Sequence, residues 1–220
     1  MLELPPDAFR RCDEYPDGMF YIQPRFVTHI DDRAITAVTQ LYRELFPAEG
    51  CILDLMSSWV SHLPAEVHYR RVVGLGLNRE ELAANPRLDA FVVQDLNAEP
   101  HLPFRSEEFD AAAICVSIQY LVNPVAVLRE VGRVLRPGAP LVITFSNRCF
   151  PTKAVAIWQA LDDAGHGELV SHYLRAAPNL TGIQLLDRTS NQPGADPLLA
   201  VVARACQPPV DAARSPSATT

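Results

Sequence analysis

Two aspartates each stand at the end of a short apolar run, Asp54 in CILDL (51–55) and Asp95 in FVVQDL (91–96). A carboxylate in that position accepts hydrogen bonds from an amine or from sugar hydroxyls, which makes both residues candidate nucleoside contacts. A helix cap or a loop ion pair accounts for an aspartate at a strand end equally well. Polar residues also close RVVGLGL (71–77), at Asn78, and FDAAAICVSI (109–118), at Ser117. Cys12, Cys51, Cys115, Cys149 and Cys206 are odd in number, scattered and without a C-x-x-C pair. They read as reduced thiols, and neither a disulfide frame nor a metal site is expected.

The elements that hold these residues alternate. A helix starts at Asp31-Asp32, with Ile35, Val38, Leu41, Tyr42 and Leu45 recurring every three to four residues and Pro47 just beyond it. Asn78, with Glu81 three residues on, caps a helix that stops before Pro86. Asn123-Pro124 starts another, with Leu128, Val131 and Leu135 as its buried stripe. Ala154, Ile157, Trp158 and Leu161 mark a further amphipathic helix ending near Gly165, with Trp158 in the core. PLVITFS (140–146), GIQLLDR (182–188) and LLAVVARA (198–205) complete the strands.

Continuous apolar strands between helices predict a parallel sheet covered on both faces. The last two strands are too close in sequence for a crossover helix and should pair antiparallel. The fold class expected is a doubly wound, mostly parallel seven-stranded α/β sheet with an antiparallel C-terminal hairpin. Residues 1–30 read as an irregular arm or cap, 31–206 as the domain and 207–220 as a disordered tail. Ligands of such sheets bind at the carboxyl ends of the strands, which selects the loops after Leu55, Leu77, Asp95 and Ser117.

Composition narrows the function classes. The 220 residues carry 19 Lys and Arg against 26 Asp and Glu, a formal net charge of −7, which disfavours a nucleic-acid partner. No apolar run approaches the roughly 20 residues that span a bilayer, so no membrane partner is expected. The opening MLELPPDAFRRCDEYPD lacks the basic-then-apolar order of a secretory signal, and a cytoplasmic location is expected.

The chain resembles the class I S-adenosylmethionine-dependent methyltransferases, especially those acting on small molecules. ILDLMSSWVSHLP stands at that family's first motif and VVGLGLN at its second strand. VVQDLNAEPHLPFRSEEFDAAAICVSIQYLVNP matches the adenine-contacting and fourth strands. VLREVGRVLRPGAPLVITF matches the helix-to-fifth-strand signature and is the most specific piece. The resemblance implies a Rossmann-like fold over residues 31 to 205 and S-adenosylmethionine as cofactor. It implies cofactor contacts at Asp54, Met56, Ser57, Ser58, Gly76, Leu77, Asn78, Asp95, Leu96, Asn97 and Ser117, with Leu96 against the adenine ring.

Two departures stand out. Met56, Ser57, Ser58 and Trp59 replace the glycine-rich turn, and Gly76 replaces the acidic residue that binds both ribose hydroxyls. Asn78, and to a lesser degree Glu80, are candidates for the ribose, although an N-cap explains Asn78 as well.

Methyl transfer from a sulfonium is an in-line displacement that needs alignment and exclusion of water. A base is required only where the acceptor must lose a proton. The resemblance places Tyr21 and His29 on an arm that caps the cofactor, and Tyr120 after the fourth strand, as catalytic candidates. Arg25, Trp59, Gln119 and Arg148 are the substrate-binding candidates, and an anionic acceptor would explain both arginines. His62, Cys149, Phe150, His172 and Tyr173 lie in the same neighbourhood. Packing aromatics, surface histidines and an Arg148 ion pair are the alternatives. The function expected is methyl transfer to a small-molecule acceptor; the alternative is an inactive methyltransferase-like protein that binds a ligand or a partner protein.

Overall fold

In the computed structural model, which describes residues 4–206, the apolar runs form one seven-stranded sheet of order β3-β2-β1-β4-β5-β7-β6. β1 (Cys51–Leu55), β2 (Arg71–Gly76), β3 (Ala90–Val93), β4 (Ala111–Cys115) and β5 (Pro140–Phe145) run parallel. β7 (Leu199–Ala205) lies antiparallel between β5 and β6 (Leu180–Asp187), forming the expected terminal hairpin. Strand order reverses between β1 and β4, whose ends open the site.

Alternation along the strands divides the core into two layers. Leu53, Leu55, Val73, Leu75 and Ile114 face α4 (Pro124–Val134) and α6 (Asp163–Arg175). Ile52, Val72, Ala113 and Val142 face α2 (Asp32–Leu45), which buries Val38, Leu41 and Tyr42 completely. Burying each such side chain contributes about 1.5–3 kcal/mol.

Local signals set the helix starts. Asp31 accepts the Ala34 N–H, Asn78 those of Glu80 and Glu81 at the head of α3 (Arg79–Ala84), and Asn123 that of Ala126. One boundary differs from expectation. The helix expected to end near Gly165 is a single turn, α5 (Ala156–Gln159), and α6 begins at Asp163 and runs through Gly165 and Gly167. Gly167 is there for packing: a Cβ would lie 2.8 Å from the Leu185 methyls. β3 and β4 are also shorter than expected. Val116 turns out of β4 at φ 48°, a left-handed conformation costly for a β-branched residue, and one 3-10 turn (Ile118–Tyr120) follows.

Residues 4–30 cross the open end of the sheet and include one short helix, α1 (Asp17–Phe20). Backbone bonds Asp13 N–H to Thr152 O (2.8 Å) and Ala156 N–H to Arg10 O (2.8 Å) fix them to the segment after β5. Arg11 and the fully buried Lys153 both pair with Asp17, at 2.8 and 3.1 Å. The expected tail, 207–220, lies outside the described residues. No helix among those described is long and apolar enough to cross a membrane.

Candidate functional site

A cavity of about 290 Å³ opens at the carboxyl ends of β1, β2 and β4, with the loop after β3 and the amino-terminal arm as further walls. Size and position suit a small ligand in an open α/β sheet.

The loop after β1 is held by hydrogen bonds in place of glycines. Met56 adopts φ 57°, the left-handed turn a glycine takes without cost. Ser57 N–H then donates to Leu75 O at 2.8 Å, bringing the Ser57 carbonyl against Gly76. Any side chain at position 76 would collide with that oxygen. Asp54, expected to touch the cofactor, does not line this cavity. It has the parity of Ile52, on the α2 side of the sheet, and accepts the Ser57 and Ser61 hydroxyls at 2.5 and 2.6 Å. Burial pushes its carboxyl up to about 6 despite those two bonds. Its work is to hold the loop.

Trp59 and Gln119, expected to meet substrate, are likewise placed elsewhere. Trp59 Nε1 donates to Val27 O at 3.0 Å and its ring meets the edge of Phe26, so the indole pins the arm beside a smaller cavity shared with His62. Gln119 is buried behind the wall and donates to Val116 O at 3.0 Å. The partners that hold them, the Val27 and Val116 carbonyls, are set by the path of the arm and by the turn after β4, which spacing alone does not reveal.

Met56, Ser57, Ser58, Gly76, Leu77, Asn78, Asp95, Leu96, Asn97 and Ser117 line the cavity. Asn78 is fully engaged: besides capping α3, its Nδ2 donates to Tyr21 O and Ile22 O at 2.8 and 3.3 Å. Glu80 lies outside, exposed. Asp95 accepts the Asn97 N–H on Oδ1 at 2.9 Å, and among the described residues no hydrogen bond occupies its Oδ2. Asn97 ties the wall together, donating to Asp17 and Tyr120 O and accepting from Val122 N–H. Ser117 Oγ is buried without a partner among the described residues.

Tyr21, Arg25, His29, Tyr120 and Arg148 also line it. Burial pushes the Tyr21 phenol up and the Tyr120 phenol up to about 12, so neither is a ready base near neutrality. Tyr120 Oη accepts the Phe150 N–H at 2.9 Å. Desolvation lowers His29, keeping its imidazole neutral and able to accept a proton at pH 7. Arg148 is paired with Asp196 at 2.7 Å. Burial raises the Cys149 thiol, the opposite of activation. His172 and Tyr173 lie on α6, away from the cavity.

Glu81 and Asp17 also line the cavity but were not among the expected contacts, and Phe150, expected in this neighbourhood, lines it too. Glu81 accepts the Arg25 N–H at 2.7 Å and the Ser58 hydroxyl at 2.9 Å, joining arm to loop. Its one sequence signal was the cap spacing from Asn78. Among the described residues no group of three or more His, Cys, Asp or Glu is placed to hold a metal.

The open oxygen of Asp95, the unpartnered Ser117 hydroxyl and the cavity's place beside the strand ends fit S-adenosylmethionine. The ribose cannot be met by a carboxylate at position 76; Glu81, Asp95 and Asp17 are the acidic residues that line the cavity.

Comparison with known proteins agrees with this geometry. Residues 50–143 match the family described as methyltransferase domain. A demethylmenaquinone methyltransferase of Mycobacterium sp. (strain KMS) is 46% identical over 55 residues, 23% of this chain and 24% of the relative. The match thus spans about a quarter of the length of that relative. Among solved structures, the [4+2]-cyclase SpnF superposes with a TM-score of 0.62 at 18% identity, covering 86% of this chain and 96% of the other. A Thermotoga maritima S-adenosylmethionine-dependent methyltransferase, titled a possible histamine N-methyltransferase, gives 0.57 at 15%, covering 79% and 90%. Haemonchus contortus phosphoethanolamine N-methyltransferase 2, solved with S-adenosyl-L-methionine, gives 0.57 at 13%, covering 78% and 52%. At these identities the structures speak for the fold. Sheet order, the cavity at the strand ends and the match of residues 50–143 to a methyltransferase domain are those of the class I S-adenosylmethionine-dependent methyltransferase fold.

Proposed function

We propose that the protein transfers a methyl group from S-adenosylmethionine to a small-molecule acceptor held between the arm and the loop after β5. The observation that carries this reading is the cavity itself, with the free Asp95 oxygen beyond β3 and the unpartnered Ser117 hydroxyl beyond β4, on either side of the ends of β2 and β1. S-adenosylmethionine supplies a methyl on a cationic sulfur, which the acceptor's lone pair attacks while the C–S electron pair stays with sulfur. The chain's own residues position and shield. Asn97 and Glu81 fix the walls, Asp17 anchors the arm, and the aromatic side chains of the arm exclude water. His29 takes the acceptor's proton where one must leave.

An acceptor of modest size follows from a cavity closed by the chain's own arm, and the acidic balance argues against nucleic acid. A cytoplasmic setting belongs to the same proposal and is supported by the free cysteines. The Ser57 carbonyl over Gly76 favours a second reading, a ligand- or protein-binding member without methyl transfer. A Haloferax volcanii neighbour, solved in complex with the Trm112 methyltransferase activator, shows the fold working with a protein partner.

Calorimetric titration with S-adenosylmethionine and S-adenosylhomocysteine decides between them. Micromolar binding of both supports the enzyme. Silence from a folded sample supports the second reading.

A further inference from the structure

The cavity wall nearest the arm is built from rings, with Phe150 as the hub. Its ring centroid lies 5.3 Å from Phe20, 6.3 Å from Tyr21, 5.2 Å from His29 and 5.9 Å from Tyr120. Arg25 lies across the same surface, its Cζ 4.6 Å from the Phe20 centroid and 5.4 Å from that of Phe150. Nη2 donates to Phe20 O at 2.9 Å, whereas Nη1 is buried with no acceptor. Among the described residues no carboxylate forms an ion pair with this guanidinium, while Arg148 is answered by Asp196 and Asp17 by Arg11 and Lys153. A buried donor without a partner is costly, and a charged one more so. The wall is therefore incomplete in one respect: it lacks an anionic oxygen.

We propose that the methyl acceptor is a planar aromatic molecule bearing an anionic oxygen, a carboxylate or phenolate, seated on the Phe150 wall with that oxygen on Arg25 Nη1. This rests on the methyl-transfer reading above. A flat ring extends the cluster already present, and the oxygen forms a charge-assisted hydrogen bond with the nitrogen that has none. An acceptor amine that is protonated at neutral pH meets repulsion from the same guanidinium. The methionine carboxylate of the cofactor offers the same chemistry to Nη1, so the test separates the two sources.

The test is calorimetric titration with 2-naphthoate and with 2-naphthylmethylamine, each with and without S-adenosylhomocysteine. We expect naphthoate to bind roughly tenfold more tightly than the amine, the difference expected of one charged hydrogen bond. Arg25→Gln removes that preference and leaves S-adenosylhomocysteine affinity within about twofold. Arg25→Lys keeps the charge without the planar fork, gives an intermediate preference, and serves if circular dichroism shows the glutamine variant misfolded. Phe150→Leu weakens naphthoate with Arg25 intact. Equal binding of naphthoate and amine overturns the proposal. So does a parallel loss of S-adenosylhomocysteine affinity in Arg25→Gln, which assigns Nη1 to the cofactor. Arg25-dependent naphthoate binding without any S-adenosylhomocysteine binding leaves the anion subsite standing and removes the methyl-transfer reading. The reverse result keeps that reading and removes the subsite.

Discussion

The carbonyl oxygen of Ser57 lies 2.2 Å from the point where a Cβ on Gly76 would stand. Ser57 follows β1 and Gly76 ends β2, and each explains the other. The loop after β1 bonds to Leu75 and settles into the space that a side chain at the end of β2 would need.

Restoring an acidic residue at that place therefore fails. Gly76→Asp forces the loop backbone aside, and overpacking of this kind costs about 1–3 kcal/mol. We expect a lower thermal midpoint and weaker S-adenosylhomocysteine binding by calorimetry. Tighter binding would show that the loop yields readily.

Asp54 predicts a pH dependence. Its folded pKa, about 6, lies above the ordinary 3.8, so the folded state holds the proton more tightly than the unfolded chain. Its contribution is fully favourable below the unfolded value and is lost as pH rises through 6, a change of about 3 kcal/mol at most. Asp54→Asn removes this dependence. Urea unfolding of both proteins at pH 4 and pH 7 should show the asparagine variant gaining on the wild type as pH rises.

Glu81 joins the arm to the cofactor loop through two hydrogen bonds. Glu81→Ala frees both the Arg25 N–H and the Ser58 hydroxyl, and bonds to a charged group contribute about 1.5–3 kcal/mol each. Faster proteolysis within residues 17–30 is the expected outcome, along with S-adenosylhomocysteine affinity lower by about tenfold. Glu81→Gln, which retains an acceptor oxygen, should fall between.

Asp17 answers two cations in the arm's anchor. Asp17→Ala leaves the buried Lys153 with Asp13 as its one carboxylate among the described residues and Arg11 without its carboxylate, and removing one member of a buried ion pair costs about 3–5 kcal/mol. Adding Lys153→Met should recover part of that loss in a double-mutant cycle read by urea unfolding.

His29 carries a kinetic prediction. Desolvation holds its pKa below 6.5, so a proton-accepting role gives a rate that rises with pH on the acid side and levels off before neutrality. His29→Gln should remove that limb while leaving S-adenosylhomocysteine binding unchanged.

The sequence by itself determined what adjacent residues decide. Apolar runs became strands, Asn78 and Asn123-Pro124 set helix starts through bonds reaching only two or three residues, and the short link between β6 and β7 required an antiparallel hairpin. The loops that line the cavity followed from strand order. Tertiary structure decided what distant residues share. Asp54 turned toward the α2 layer because alternation fixes parity while only helix placement says which face meets the cavity. Gly165 looked like a helix end, yet α6 runs through it, and the contact with Leu185 makes Gly167 a packing position inside that helix. Glu81 was legible as a capping residue, but its bond to Arg25 joins positions 56 apart. The unpartnered Arg25 nitrogen arises only when Phe150, from the loop after β5, closes with Phe20 on one guanidinium of the arm. Short-range hydrogen bonding is written in local order, whereas burial and the partners left wanting depend on packing the whole sheet.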